Sequence, residues 1–158
     1  MAYVSLDSDQ IKKAHKKHKY TKEQVVQLEK CMDEKTGPLY FMKTFMKIQH
    51  PTKGELPFDP YPYQERLVEA YNNHRFSISM LPRQTGKTTC ASGYLIWYAM
   101  FKPDSQILIA AHKYAGASDI MSRVRYAYEM LPSWIKAGVT QYNRNSIEFD
   151  NGSKIMAT

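Results

Sequence analysis

The 158-residue chain is poor in several things, and each shortage narrows what it does. Only two cysteines are present, Cys31 and Cys90, without the close pairing of a thiolate metal site. A reducing, cytoplasmic setting is the default for such a sequence. Long apolar runs are missing too. The longest, Tyr94 to Phe101, falls far short of the roughly 20 residues needed to cross a bilayer. The first residues lack the basic flank, apolar core and small-residue cleavage site of a secretion signal. No internal repeat and no low-complexity tract is visible. Acidic residues are outnumbered, 15 against 22 basic ones, for a net charge of +7. That balance favours an acidic partner such as nucleic acid or a nucleotide, and is silent about fold.

What remains is a chain able to fold. It is 43% hydrophobic and 13% aromatic, enough to bury a core, and its length suits one ordinary domain with a small appendage. The most informative stretch is Leu81-Pro82-Arg83-Gln84-Thr85-Gly86-Lys87-Thr88-Thr89. An apolar run, Phe76 to Met80, precedes it and predicts a strand. A helical pattern, Thr88 to Phe101, follows it. Strand, short loop, Gly-Lys-Thr and helix is the layout of a phosphate-binding P-loop. The N–H groups of such a loop and of the first helical turn converge on an anion. Gly86 permits the close backbone approach. Lys87 supplies a compact charge for the β- and γ-phosphates, and Thr88 a hydroxyl for Mg²⁺. The usual motif has Gly where Leu81 stands.

With that departure, Pro82 to Thr89 resembles the deviant Walker A of the large terminase subunits of tailed bacteriophages, the ATP-driven motors that package DNA. The resemblance makes Arg83 a catalytic cation on the triphosphate, beside Lys87. It makes Gln84, Thr85, Gly86, Lys87, Thr88 and Thr89 nucleotide-binding. Tyr63-Gln64, at the start of a predicted helix, is similar to the adenine-recognition element of the family: a Gln amide donates to and accepts from the base edge while an aromatic stacks on it. Ala111-His112-Lys113 and Ile147 to Ser153 also resemble terminase segments, so the likeness runs from about Pro38 to the last residue. It implies ATP and Mg²⁺ as cofactors. It implies double-stranded DNA, the portal protein and the small terminase subunit as partners, no membrane, and the cytoplasm of an infected bacterium as the setting.

Taken in order, residues 7–19 predict a short basic helix capped by Asp7 or Ser8. Thr21-Lys22-Glu23-Gln24 is a capping box opening a second helix, with Val25, Leu28 and Met32 as its inward stripe and Gly37-Pro38 as its stop. Leu39 to Thr44 predicts a helix, Phe45 to Ile48 a strand, and Pro51-Thr52-Lys53-Gly54 a turn. Glu55 to Pro62 is an extended connector, dividing a helical region at 1–50 from a nucleotide-binding core at 51–158. Pro62 opens a helix to about Asn73. Ile107 to Ala111 predicts a strand buried on both faces and completes a βαβ unit, with His112 at its carboxyl end. Ser118 to Leu131 predicts a helix facing inward through Ile120, Met121, Val124, Ala127 and Tyr128. Asn151-Gly152 between Ser146–Phe149 and Lys154–Met156 signals a hairpin.

These elements predict an α/β P-loop NTPase of the RecA-like kind: an incomplete parallel sheet with flanking helices behind a small helical N-terminal region. No four-residue apolar run is followed by Asp-Glu, the acid that holds Mg²⁺ and positions the attacking water. A nuclease domain is likewise missing. The chain therefore reads as the first half of an ATPase domain, a fragment, split-gene product or truncated frame that a second chain completes. Two other functions fit the same residues: a superfamily 2 helicase fragment, and a non-enzymatic module binding DNA or a capsid component through its basic surface.

Overall fold

A computed structural model of the chain describes residues 10–50 and 52–158. Asp7, Ser8 and Pro51 lie outside them. Among the described residues the fold is mixed α/β, with five helices and two sheets. Helix α1 (Lys22–Met32) begins at the expected capping box: Gln24 N–H donates to the Thr21 hydroxyl and Thr21 N–H to the Gln24 side chain. It ends earlier than its sequence stop. Asp33 accepts from the N–H groups of Lys35 and Thr36 and turns the chain there. Gly37-Pro38 instead opens helix α2 (Gly37–Phe45), because proline fits the first turn of a helix, where its missing N–H costs nothing. Gly37 is required by proximity: a Cβ there would stand 2.4 Å from the Cys31 carbonyl oxygen. The α1 stripe is also corrected. Val25 and Met32 are exposed, Leu28 packs against the core, and Cys31 is the residue that α1 buries.

Strands β1 (Lys47–His50) and β2 (Gly54–Pro57) form an antiparallel hairpin, so the first part of the expected connector is sheet. Helix α3 (Pro62–Asn73) has the predicted bounds. Helix α4 (Lys87–Phe101) is the central helix. Trp97 is fully buried on it and donates its indole N–H to the Cys31 carbonyl at 2.8 Å, tying the end of α1 to α4. Gly93 lets α2 press close, since a Cβ would meet Met46 Sδ at 2.5 Å.

Beyond α4 come β3 (Gln106–Ile109), α5 (Tyr114–Glu129), β4 (Val139–Tyr142), β5 (Ser146–Phe149) and β6 (Lys154–Ala157). The inward set on α5 is the expected one, with Met121, Val124, Ala127 and Tyr128 buried and Ile120 packed on the core. The second sheet has the order β3-β6-β5-β4. Only β3 and β6 run parallel; β6 to β5 and β5 to β4 are antiparallel. The sheet is thus mixed rather than parallel. The β5–β6 hairpin forms over Asn151-Gly152 as expected, with Gly152 at φ 83°.

Three further expectations fail in this part of the chain. Residues 10–19 are not helical. Lys13 bridges Val139 beside β4, Val139 N–H donates to the Lys12 carbonyl, and Ile11 is buried. A row of lysines has no apolar face to bury as a helix, whereas an extended chain gains backbone bonds along β4. Phe76 to Met80 is not a strand: it pairs with nothing among the described residues, and Phe76, Ile78 and Met80 are exposed. The βαβ unit expected around α4 therefore lacks its first strand. β3 is buried on one face only, with Leu108 62% exposed, because it lies at the sheet edge.

Candidate functional site

Residues 81–89 form a tight loop running into α4. Gly86 is the N-cap of that helix in the left-handed conformation, φ 74° and ψ 13°, and Gln84 is left-handed as well, φ 63°. Glycine is demanded at 86 twice over. An L side chain strains at that φ, and a Cβ would stand 2.5 Å from Gln64 Nε2. No side chain caps α4, so its first-turn N–H groups lack the acceptor that Ser, Thr or Asp provides elsewhere.

Lys87 is exposed and turns back over its own loop. Its ammonium donates to the Leu81 and Pro82 carbonyls, both at 3.2 Å. The Thr85 hydroxyl donates to the same Pro82 carbonyl at 3.0 Å. These carbonyls hold the cation where the loop's backbone converges. Thr88 and Thr89 are half-buried in the first turn of α4, and the Thr88 carbonyl accepts from the Ser92 hydroxyl at 2.8 Å. Arg83 and Gln84 are exposed on the outer rim of the loop.

Helix α3 braces the loop from behind. Tyr63 Oη and Gln64 Nε2 both donate to the Thr85 carbonyl, at 2.9 and 3.0 Å. Gln64 Oε1 accepts from Tyr61 N–H at 2.9 Å, and Gln64 is buried. Its amide is thus engaged at both ends. The structure brings Tyr63, Gln64, Thr85, Gly86 and Lys87 together, as the sequence spacing suggested. His112 lies apart from this cluster in the links just described, exposed beyond the end of β3.

Sequence reasoning missed Tyr61. Its ring stacks on Tyr63, centroids 5.8 Å apart and planes 7° from parallel, and it is 65% exposed. The Tyr-Pro-Tyr spelling of 61–63 was the available signal, since proline at the start of α3 fixes the two rings on one side.

The chemistry of the donor set fits a phosphate chain. The site offers uncapped helix N–H groups, a glycine without Cβ, an ammonium held by carbonyls alone and a neighbouring threonine hydroxyl. It fits Mg²⁺ only through such phosphates, because the described residues contain no cluster of three His, Cys, Asp or Glu able to hold a metal. No helix among the described residues is long and apolar enough to cross a membrane.

The family described as terminase large subunit, T4likevirus-type, N-terminal, matches residues 78–158. That span takes in the loop, α4, β3, α5 and the hairpin that follows. With half of its length so matched, the chain belongs to the large-subunit terminases of viral DNA packaging.

Proposed function

We propose that the 81–89 loop is a P-loop and that the chain is the ATP-binding part of a packaging motor, coupling ATP hydrolysis to translocation of double-stranded DNA. The observation that carries this reading is the left-handed Gly86 opening an uncapped 15-residue helix, with Lys87 folded over the loop carbonyls. An anion entering there meets first-turn N–H groups and the helix dipole. Lys87 exchanges two neutral carbonyls for phosphate oxygens, which are stronger acceptors for an ammonium. Thr88 offers its hydroxyl to Mg²⁺. Gln84, Thr85 and Thr89 supply loop and helix donors. Arg83, free on the rim, swings in to stabilise charge on the transferring phosphoryl group. Bound MgATP supplies the phosphoanhydride whose cleavage does the work.

Tyr63 and Gln64 are assigned to adenine. The base stacks against the Tyr61–Tyr63 pair, and Gln64 reads its edge by releasing either Tyr61 N–H or the Thr85 carbonyl. Base binding and loop shape then depend on the same amide. DNA, the portal ring, the small terminase subunit and a second chain supplying the catalytic acid are the partners this reading requires.

The test is titration of the chain with a fluorescent ATP analogue and Mg²⁺, beside Lys87→Ala, with hydrolysis followed in the same samples. Saturable binding weakened at least tenfold by Lys87→Ala is the expected result. Equal binding by both folded proteins sinks the proposal.

A further inference from the structure

A second cleft lies away from the loop rim. It encloses about 510 Å³ between β1 and α5, with Thr89 and Ser92 of α4 contributing to its wall. That volume is within the range of small-ligand sites, roughly 300–1,000 Å³. Most charges around it are spoken for. Lys47 pairs with Glu55, Arg123 with Asp119 at 3.4 Å, and Glu129 accepts the Tyr142 hydroxyl at 2.6 Å. Arg125 is the exception. Its Nε is buried and has no hydrogen-bond partner among the described residues, and its guanidinium forms no ion pair there.

A buried guanidinium N–H without an acceptor is costly, and native structures seldom leave one so. The group stays charged at any ordinary pH, so it does not escape by losing a proton. Two hydroxyls lining the same cleft, those of Thr89 and Tyr126, are also uncommitted. A planar fork together with two hydroxyl donors suits the tetrahedral, oxygen-rich phosphate group better than a flat carboxylate. One unpaired positive charge suits a single negative one.

We propose that this cleft is a second anion site, taking a phosphate group on Arg125, Thr89 and Tyr126, and distinct from the 81–89 loop. The phosphate comes either from a small free molecule or from a nucleic-acid backbone. The proposal does not depend on the P-loop reading. It has a structural corollary: Thr89 follows Thr88 in the first turn of α4, so the two sites share one helix end from opposite sides.

The experiment is NMR observation of the Arg125 Nε–H resonance, assigned by its loss in Arg125→Lys, in phosphate-free buffer. Inorganic phosphate is titrated into the full chain, into Lys87→Ala and into Lys87→Ala/Arg125→Gln, the last followed through the Tyr126 amide. The expected result is a saturable shift that survives Lys87→Ala and weakens at least tenfold when Arg125 is replaced. If Arg125→Gln fails to fold, Arg125→Lys serves, with a smaller loss from the missing fork. A linear, unsaturable shift overturns the proposal. So does a shift abolished by Lys87→Ala, or equal affinity in the Arg125 variants. A 12-base-pair duplex added in place of phosphate identifies the source: displacement of the same resonance at lower concentration than phosphate means backbone, and no displacement means a small free ligand.

Discussion

Replacing Gly86 by alanine probes the brace between α3 and the loop more sharply than any other single change. Two costs add. The left-handed conformation at φ 74° costs a residue with a Cβ about 1–2 kcal/mol. The new Cβ also claims space 2.5 Å from Gln64 Nε2, so the Gln64 side chain must leave. Its two hydrogen bonds, to the Thr85 carbonyl and from Tyr61 N–H, go with it, at about 0.5–1.5 kcal/mol each. The sum is a loss of about 2–5 kcal/mol, read as a drop in urea midpoint at unchanged slope. The origin of the loss is separable by a double-mutant cycle. In a Gln64→Ala background the clash is gone, and Gly86→Ala should cost only the backbone part, about 1–2 kcal/mol. A coupling of about 1–3 kcal/mol between the two sites is therefore expected. Additivity within about 0.5 kcal/mol would refute the claim that Gln64 holds the loop in shape.

Other expectations follow from the same contacts. Trp97→Phe keeps an aromatic ring but leaves the buried Cys31 carbonyl without its partner, and should cost about 2–4 kcal/mol in chemical denaturation. Burial pushes the Cys31 thiol up to about 12 and Cys90 to about 11. The unfolded chain therefore loses these protons first as pH rises. The stabilising contribution is whole below the unfolded thiol value, near 8.5–9, and falls by about 1.4 kcal/mol per pH unit per thiol from there towards pH 11. Urea midpoints across that window, shallower in Cys31→Ala, check it. At pH 8 both thiols should react with a disulfide reagent only as fast as the fold opens. Asp150→Ala removes the acceptor of His15 N–H and should speed tryptic cleavage among Lys12, Lys13, Lys16 and Lys17.

Where sequence and structure agree, the signals were local. The Thr21–Gln24 box, the proline before α3 and the Asn-Gly of the β5–β6 hairpin act through their own few residues, so they read correctly without the rest of the fold. The loop at 81–89 belongs to this class, since a left-handed glycine followed by Lys-Thr is a short-range instruction. The failures needed partners that a linear reading does not supply. Residues 10–19 are extended because β4 lies beside them, and β4 itself had been missed, its Val-Thr-Gln-Tyr giving only four residues of weak alternation. Phe76 to Met80 has the alternation of a strand and no neighbour to pair with. Tyr61 was overlooked because stacking depends on how α3 starts, and Arg125 because an unmet hydrogen bond is invisible until everything around it is placed.

The bridge from Lys13 to Val139 has a consequence for how the four-stranded sheet meets other polypeptides. Its β4 margin is occupied by the chain's own leading segment, reinforced by Lys136, a buried amine whose protons go to the Gln10 and Glu129 carbonyls. The opposite margin, β3, shows Leu108 to solvent and has a partner on one side only among the described residues. The sheet is directional: sealed at one rim, it admits a further strand at the other alone, and stacking of copies edge to edge into an open-ended ribbon is blocked at every second contact.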